Sequence, residues 1–415
     1  MKKTLFLIAF TICSVVAAQT TFTKKISSSE FGRDRNIKIH LPQGYDTDTV
    51  HKYPVAIVLD NDYLFDLYVG NSKIYAKGDL APKQIVVGLD TDYSINQDVS
   101  TVRANGALTN NSSKFYNYIK KEVIPYLDVN YKTSPFLTIV GDGIGANFLL
   151  HFLKEQKPFF NAYIAISPEM NQQMARLIGT YNLKRLDKID NDFYVYLSTN
   201  PFENQDSKKL YKQLTDALTN LDTQRLHLTF DKFDDSPTKV AAISNAIPRA
   251  FAKTFSLYSK ITRDEYNEYV KDLDPLEAIK YLERKYLDIE YLYGTNTNVR
   301  MEDIFTIEGI VIDKMDGDYL RVLGDFVMIK HPDSHLGEYY VGKYHELGKN
   351  YEMALFYYKE AYGKMELSDP NAEAFYENIR RVEKAGIQAK KEQDAPVEDD
   401  IPLEDDEEDE DEEEE

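Results

Sequence analysis

A glycine-punctuated segment in the middle of the chain most constrains what the chain can fold into. Residues 136–145 read FLTIVGDGIG, an apolar run with glycine at its sixth, eighth and tenth positions. The run predicts a buried strand, and Ala146 to Leu153 then continue as a helix. Glycine at every second position indicates a tight strand-to-helix turn in which no side chain crowds the approach of the next element.

Further apolar strands predict the sheet to which this segment belongs. They lie near Val55, Val86 and Ile164 and alternate with helical stretches such as residues 114–127, the βαβ rhythm of a mostly parallel sheet. Because the strands are apolar throughout, both faces of the sheet should be covered by helices. We expect entry strands within residues 20–42 and a closing helix at residues 240–258, which gives an α/β fold.

Several of these stretches carry a family resemblance in their order and spacing. They are residues 53–60 (YPVAIVLD), 85–90 (IVVGLD), 123–127 (VIPYL), 130–135 (NYKTSP) and 163–168 (YIAISP). With the glycine segment, they make Tyr53 to about Tyr258 similar to the esterase D-like family of α/β-hydrolases, whose relatives include feruloyl and enterochelin esterases. The resemblance implies an α/β-hydrolase-like sheet and, at residues 141–145, a nucleophile elbow of the pattern Gly-x-Ser-x-Gly.

The chain departs from this family at the nucleophile, at the base and in the acyl pocket. Gly143 replaces the serine nucleophile, and glycine has no oxygen to attack a carbonyl. The resemblance places Asp235 at the catalytic histidine and offers Glu203 as the acid. Residues 169–173 (EMNQQ) stand where members often carry aromatic bulk, and the chain has no tryptophan. We therefore expect a catalytically inactive esterase-like domain.

Neither another serine nor a histidine of the chain fits the catalytic positions. Ser167 follows a strand end, but Pro168 opposes the helical turn that an elbow requires. A general base must come within hydrogen-bond reach of its proton. The sequence places none of His40, His151 and His227 for that role.

Clustered carboxylates suggest a second use of the site. Asp142 and Asp235, with Asp60, Asp62 or Glu203, could converge on a cavity that Gly143 has enlarged. Carboxylates with water suit a hard cation such as calcium. The same residues also fit solvated loops and helix caps, and we assign no metal ligand and no cofactor.

The first eighteen residues predict export. Lys2 and Lys3, a short apolar run and small residues before Gln19 form a cleavable secretory signal. The single cysteine, Cys13, lies within it, so the mature chain would have neither disulfides nor thiol chemistry. We expect the envelope of a Gram-negative bacterium: the periplasm, an outer-membrane association or the cell surface. No further run is long enough to span a bilayer.

Most of the formal net charge of −20 is local. Residues 392–415 include seventeen acidic residues and no basic ones, which predicts a disordered tail that either docks on a basic surface or only solubilises the protein. Nucleic acid is excluded as an expected partner, because phosphate binding requires a basic patch.

Beyond residue 261 the chain predicts helices only. Gly342, Ala354, Tyr358 and Ala361 have the small-residue and aromatic spacing of a tetratricopeptide repeat, and residues 372–385 could supply a capping helix. An unrelated helical bundle remains the alternative. The predicted domains are the signal at 1–18, the hydrolase-like domain at 19–260, the repeat-like helical domain at 261–391 and the tail at 392–415.

These features together predict a binding protein. We expect a component that binds or assembles envelope or outer-membrane proteins, with Tyr340, Tyr344 and Tyr357 as candidate contacts because tyrosine supplies rigid amphipathic area. One alternative is an ester hydrolase with a non-standard site, such as carboxylate-activated water. Another is a binder that holds a carbohydrate or siderophore without turnover.

Overall fold

The computed structural model describes residues 20–60, 62–89, 95–169, 171–201, 205–219, 221, 223–295, 298–313, 317–366 and 368–393. The predicted signal, Glu203 and nearly all of the acidic tail lie outside these ranges. The chain divides into two compact units. The first comprises Met1–Tyr269 with Tyr281–Ile304, and the second comprises Val270–Lys280 with Phe305–Glu415.

The first unit is built on one mostly parallel sheet, as the apolar strands predict. Its strands are β1 (Thr20–Ser28), β2 (Arg33–Leu41), β3 (Tyr53–Val58), β4 (Ile85–Leu89), β5 (Thr133–Asp142), β6 (Ala162–Ile166), β7 (Phe193–Ser198) and β8 (Leu226–Asp231). Their order is β1-β2-β4-β3-β5-β6-β7-β8. The β1–β2 and β2–β4 pairs are antiparallel, and every later pair is parallel.

Burial along the strands explains this architecture. Every residue of β3, β4, β6 and β7 is buried, because helices cover both faces of the sheet. The two outermost strands, β1 and β8, are largely accessible, as expected of sheet edges. The carboxyl end of β5 therefore lies in the middle of the sheet, where the glycine segment begins.

Helices follow most of the strands. In the first unit they are α1 (Tyr63–Lys77), α2 (Ile95–Asp98), α3 (Asn110–Tyr118), α4 (Ile124–Asn130), α5 (Ile144–Leu149), α6 (Gln172–Gly179), α7 (Gln205–Thr219), α8 (Lys239–Thr254) and α9 (Arg263–Glu265), with π-helical turns at Ile119–Val123 and Tyr266–Val270 and 3-10 turns at Leu150–Lys154 and Leu183–Lys188. The predicted elbow helix is thus α5 with its 3-10 extension, and the predicted closing helix is α8.

Two helices contribute residues to both units: α10 (Pro275–Tyr293) and α11 (Met301–Asp313). The end of α10 belongs to the first unit, where the Tyr293 hydroxyl donates to the Thr254 carbonyl at 2.9 Å. A Cβ on Gly294 would meet Pro135 Cδ at 2.6 Å. These units therefore divide the chain differently from the predicted boundary at residue 260.

The second unit continues with α12 (Gly317–Lys330), α13 (Leu336–Leu347), α14 (Tyr351–Gly363) and α15 (Ala372–Gln393). A Cβ on Gly342 of α13 would lie 2.7 Å from Cδ1 of Tyr358 in α14, so the glycine permits close helix packing. Ala354, Tyr358 and Ala361 are buried. This region is helical, as predicted, and its assignment as a tetratricopeptide-like repeat remains a prediction. Within the described ranges, no helix is long and apolar enough to cross a membrane.

Candidate functional site

The site begins at the turn between β5 and α5. Gly143 has φ 57° and ψ −118°, the conformation of the first central residue of a type II′ turn. This positive-φ conformation favours glycine. Its N–H donates to the Ile166 carbonyl of β6 at 3.0 Å, and its carbonyl accepts from the N–H of Asn147 at 3.2 Å. The chain therefore turns sharply at Gly143, at the carboxyl edge of the parallel sheet.

The flanking glycine at 141 is required by a close backbone approach. A Cβ on Gly141 would lie 2.7 Å from the carbonyl carbon of Gly145 and 2.8 Å from its oxygen, closer than real Cβ atoms come. A Cβ on Gly145 would meet only Leu59 Cβ, at 3.8 Å, an ordinary contact. Gly141 thus allows the first turn of α5 to pack onto the strand end.

The space beside Gly143 is bounded by two charged groups. A Cβ built on Gly143 would lie 3.4 Å from Oε1 of Glu169 and 3.8 Å from Nζ of Lys239. A side chain at this position would therefore point toward a carboxylate and an ammonium group. The sequence analysis did not identify Lys239, which is the first residue of α8 and lies only four positions beyond Asp235.

Asp142 forms the centre of a polar cluster. Its Oδ2 accepts from the Tyr63 hydroxyl at 2.9 Å and lies 2.9 Å from Nζ of Lys239. Its Oδ1 is buried and has no hydrogen-bond partner among the described residues. The carboxylate is thus held near the elbow by an opposite charge and a hydroxyl donor.

The predicted carboxylate cluster forms only in part. Asp60 lies close enough to Asp142 and Asp62 for their charges to act on it: burial raises the pKa of Asp60, a backbone N–H from Asp62 opposes the rise, and the two carboxylates add to it. Asp235 lies in the turn before α8 with its side chain exposed, and Glu203 lies outside the described residues. No group of three His, Cys, Asp or Glu side chains suited to a metal ion occurs in the described part of the chain. The calcium hypothesis therefore has no coordination geometry to support it.

The imidazoles lie apart from this cluster. His227 is at the amino end of β8, at the opposite edge of the sheet from the elbow, and His40 is on β2, three strands from β5. The Thr21 hydroxyl is 2.8 Å from Nδ1 of His40, a contact between paired residues of β1 and β2 rather than at the elbow. His151 is buried and its Nε2 has no partner among the described residues. Burial, with a smaller effect of Lys154, lowers the pKa of His151 to about 4, which keeps it neutral.

Ser167 has no activating partner among the described residues. It is buried at the end of β6 with a positive φ of 47°, and its N–H donates to the Ser198 carbonyl at 2.8 Å. Its hydroxyl has no hydrogen-bond partner among the described residues, so no imidazole activates it.

A cavity of about 290 Å³ opens beside the elbow. It is lined by Val99, Ser100, Thr101, Arg103, Ile144, Asn147, Glu169 and Asn171. Arg103 comes from the loop between α2 and α3, which the sequence analysis did not consider. The arrangement provides a small pocket with charged, polar and apolar residues next to a turn that carries glycine at position 143.

Comparison with solved structures identifies proteins of the same fold. An uncharacterised protein from Capnocytophaga ochracea DSM 7271 is 21% identical with a TM-score of 0.75, and the match covers 88% of this chain and 100% of that one. An IroE-like serine hydrolase from Shewanella oneidensis is 19% identical with a TM-score of 0.52, over 73% of this chain and 98% of that one. The BES protein from Bacillus cereus is 17% identical with a TM-score of 0.50, over 61% and 99%.

The family comparison agrees with the fold. No curated protein matches the chain. The family model described as "Putative esterase" matches residues 28–238, which is half of the chain and includes the whole region from β2 to the start of α8. The chain therefore belongs to this esterase family.

Proposed function

We propose that this chain is a catalytically inactive member of the esterase family that acts as a protein-binding component of a bacterial cell envelope. The observation that carries the proposal is Gly143, which has the backbone conformation of a nucleophile elbow and no side-chain hydroxyl. A serine in its place would meet Glu169 and Lys239 rather than an imidazole.

The electrostatics around the elbow also favour loss of catalysis. Serine attack needs a neutral base that takes the proton and then carries it as a cation. Lys239 lies 2.9 Å from the Asp142 carboxylate and forms an ion pair with it. The ammonium group of an ion-paired lysine donates hydrogen bonds and has no lone pair to accept a proton, so it does not act as the base.

The binding role rests on the helical unit. Tyr344 and Tyr357 are half-buried and enclose His345, with the Tyr357 and His345 rings stacked at 5.5 Å and Tyr344 edge-on at 4.9 Å. Phe356 beside them is 53% exposed. Such a set offers rigid aromatic area to a partner. Tyr340 does not belong to it: its side chain is fully buried, so its candidacy as a contact was wrong.

Ester hydrolysis tests the catalytic half of the proposal. The purified chain without its first eighteen residues is expected to hydrolyse p-nitrophenyl acetate and butyrate no faster than buffer, and to remain unlabelled by a fluorophosphonate. Serine labelling would refute the assignment of Gly143 as the vacant nucleophile position.

The alternative function is an ester hydrolase that activates water with a carboxylate, and the same assay tests it. The raised pKa of Asp60 favours this alternative. A carboxylate with a raised pKa near a second carboxylate is a candidate general base for water activation. Turnover that persists without fluorophosphonate labelling and is abolished in Asp60→Asn or Asp142→Asn would favour this alternative. Asp46→Asn, a substitution in the loop before β3, is the matched control.

Affinity purification from native membranes tests the binding half. We expect a specific envelope protein to co-purify with the wild-type chain and to be lost with the Tyr344→Ala/Tyr357→Ala double variant. Tyr376→Ala, which removes a tyrosine 38% exposed on α15, is the control and should retain the partner. Equal capture by all three proteins would contradict a role for this surface.

A further inference from the structure

We infer that the cavity beside the elbow is a binding site for a small zwitterion of dipeptide size. The inference rests on the proposed function, because it requires the pocket to hold a ligand without cleaving it. It names the chemical class of the ligand for the cavity beside an elbow that, in the proposed function, has lost its catalytic groups.

Two opposite charges line this one cavity without neutralising each other. Arg103 and Glu169 both border it and both are exposed. Neither makes an ion pair within 4.0 Å of another described side chain, in contrast to Lys239 and Asp142, which pair with each other at 2.9 Å. A ligand that carries an anionic and a cationic group would satisfy both.

The remaining walls suit the group between those charges. The uncharged polar residues of the lining are Ser100, Thr101, Asn147 and Asn171. An amide offers both a donor and an acceptor, as a peptide group requires. Val99 and Ile144 supply a small apolar contact for an aliphatic side chain.

Asn147 is held in place and has unused hydrogen-bonding capacity. It is 5% exposed, and its Nδ2 donates to the Glu169 carbonyl at 2.7 Å, which fixes the amide orientation. Its Oδ1 is buried without a partner in the described part of the chain. An acceptor left in this state is costly, and an N–H donor from a ligand would offset that cost.

Size and charge spacing favour a dipeptide over a free amino acid. Because Arg103 and Glu169 are more than the 4.0 Å ion-pair limit apart, their partners on the ligand must also be separated. One peptide unit adds about 3.5 Å between amino and carboxylate groups. A cavity of about 290 Å³ has room for a molecule of this size.

Calorimetric titration with L-alanyl-L-alanine tests the inference on the full mature chain. Its amide and its N-acetyl derivative each remove one charge, and each is expected to bind at least ten-fold more weakly. In Arg103→Ala the free dipeptide and its amide should bind equally, and in Glu169→Gln the free dipeptide and its N-acetyl form should do so. Arg33→Ala, an exposed arginine on β2, is the control and should bind like the wild type.

The possible results separate this inference from the proposed function. No heat at millimolar dipeptide, or charge discrimination that survives in both variants, would overturn the zwitterion site and leave catalytic inactivity standing. Binding accompanied by cleavage of the dipeptide or its methyl ester, followed by chromatography, would support the site and refute inactivity. Circular dichroism of each variant establishes that the fold is intact.

Discussion

Replacing Gly143 by serine places a hydroxyl at the turn between β5 and α5 and tests the backbone geometry on which the proposed function depends. A side chain at φ 57° and ψ −118° is strained, at a cost of about 1–3 kcal/mol. No steric term is added, because the nearest atoms to the new Cβ lie at 3.4 and 3.8 Å. Loss of glycine's freedom in the unfolded chain returns about 0.4–1 kcal/mol. We therefore expect Gly143→Ser to lower the free energy of unfolding by about 1–2 kcal/mol.

Urea denaturation followed by circular dichroism provides the measurement. Gly179→Ser is the matched control, since Gly179 at the end of α6 lacks a left-handed φ and has no atom within 4 Å of a new Cβ. That variant should stay within about 0.5 kcal/mol of the wild type. A Gly143→Ser protein as stable as the wild type, or more so, would show that the strained turn is absent. The same variant should remain unlabelled by fluorophosphonate, because no imidazole accompanies the new hydroxyl.

Three further predictions concern ionisable groups that are buried or partly buried. Arg35→Met removes the guanidinium group that lies 2.6 Å from the Asp98 carboxylate, whose side chain is 1% exposed. This variant should lower the free energy of unfolding, measured with urea, by about 3–5 kcal/mol. The double variant Arg35→Met/Asp98→Leu should recover much of that loss. Burial raises the pKa of Glu346, but hydrogen bonds from Arg381 and from the Tyr358 hydroxyl at 2.6 Å outweigh it and lower the net pKa. This stabilisation is present above pH 4.5 and is lost as the pH falls through the folded-state value. Tyr358→Phe should reduce that acid dependence and leave the part that Arg381 contributes. Burial lowers the pKa of His151 to about 4, so this group binds its proton more readily when unfolded and should lower stability by up to about 3 kcal/mol between pH 6.5 and 4. His151→Gln should remove that contribution and leave the parallel one of His40, whose pKa burial also lowers to about 4.

The sequence predicted the sheet well because its strands are locally unambiguous. β3, β4 and β6 are continuous apolar runs, and only a strand with both faces covered accommodates such runs. The turn was equally readable, since Gly141 is required by a backbone contact only four residues away in the chain. Local constraints of this kind can be recognised from residues that lie close together in the sequence.

The site was less predictable because its contacts join distant parts of the chain. Lys239 reaches Asp142 from another element with a long flexible side chain, and spacing in the sequence does not encode that reach. Burial on α13 was also missed: Tyr340 and Tyr344 are one turn apart, yet one is fully buried and the other half-exposed. The periodicity of one helix does not reveal where its neighbours end.

The charges near the elbow fall into two classes, and that division decides what the site can still do. Lys239 and Tyr63 are accounted for by stability, because the Asp142 side chain is only 9% exposed and a buried carboxylate requires an opposite charge and a donor. Arg103 and Glu169 compensate no buried charge among the described residues, and each is solvated at the mouth of the cavity. Folding therefore gives no reason for these two groups to border the same pocket, whereas recognition of a ligand with matching charges does.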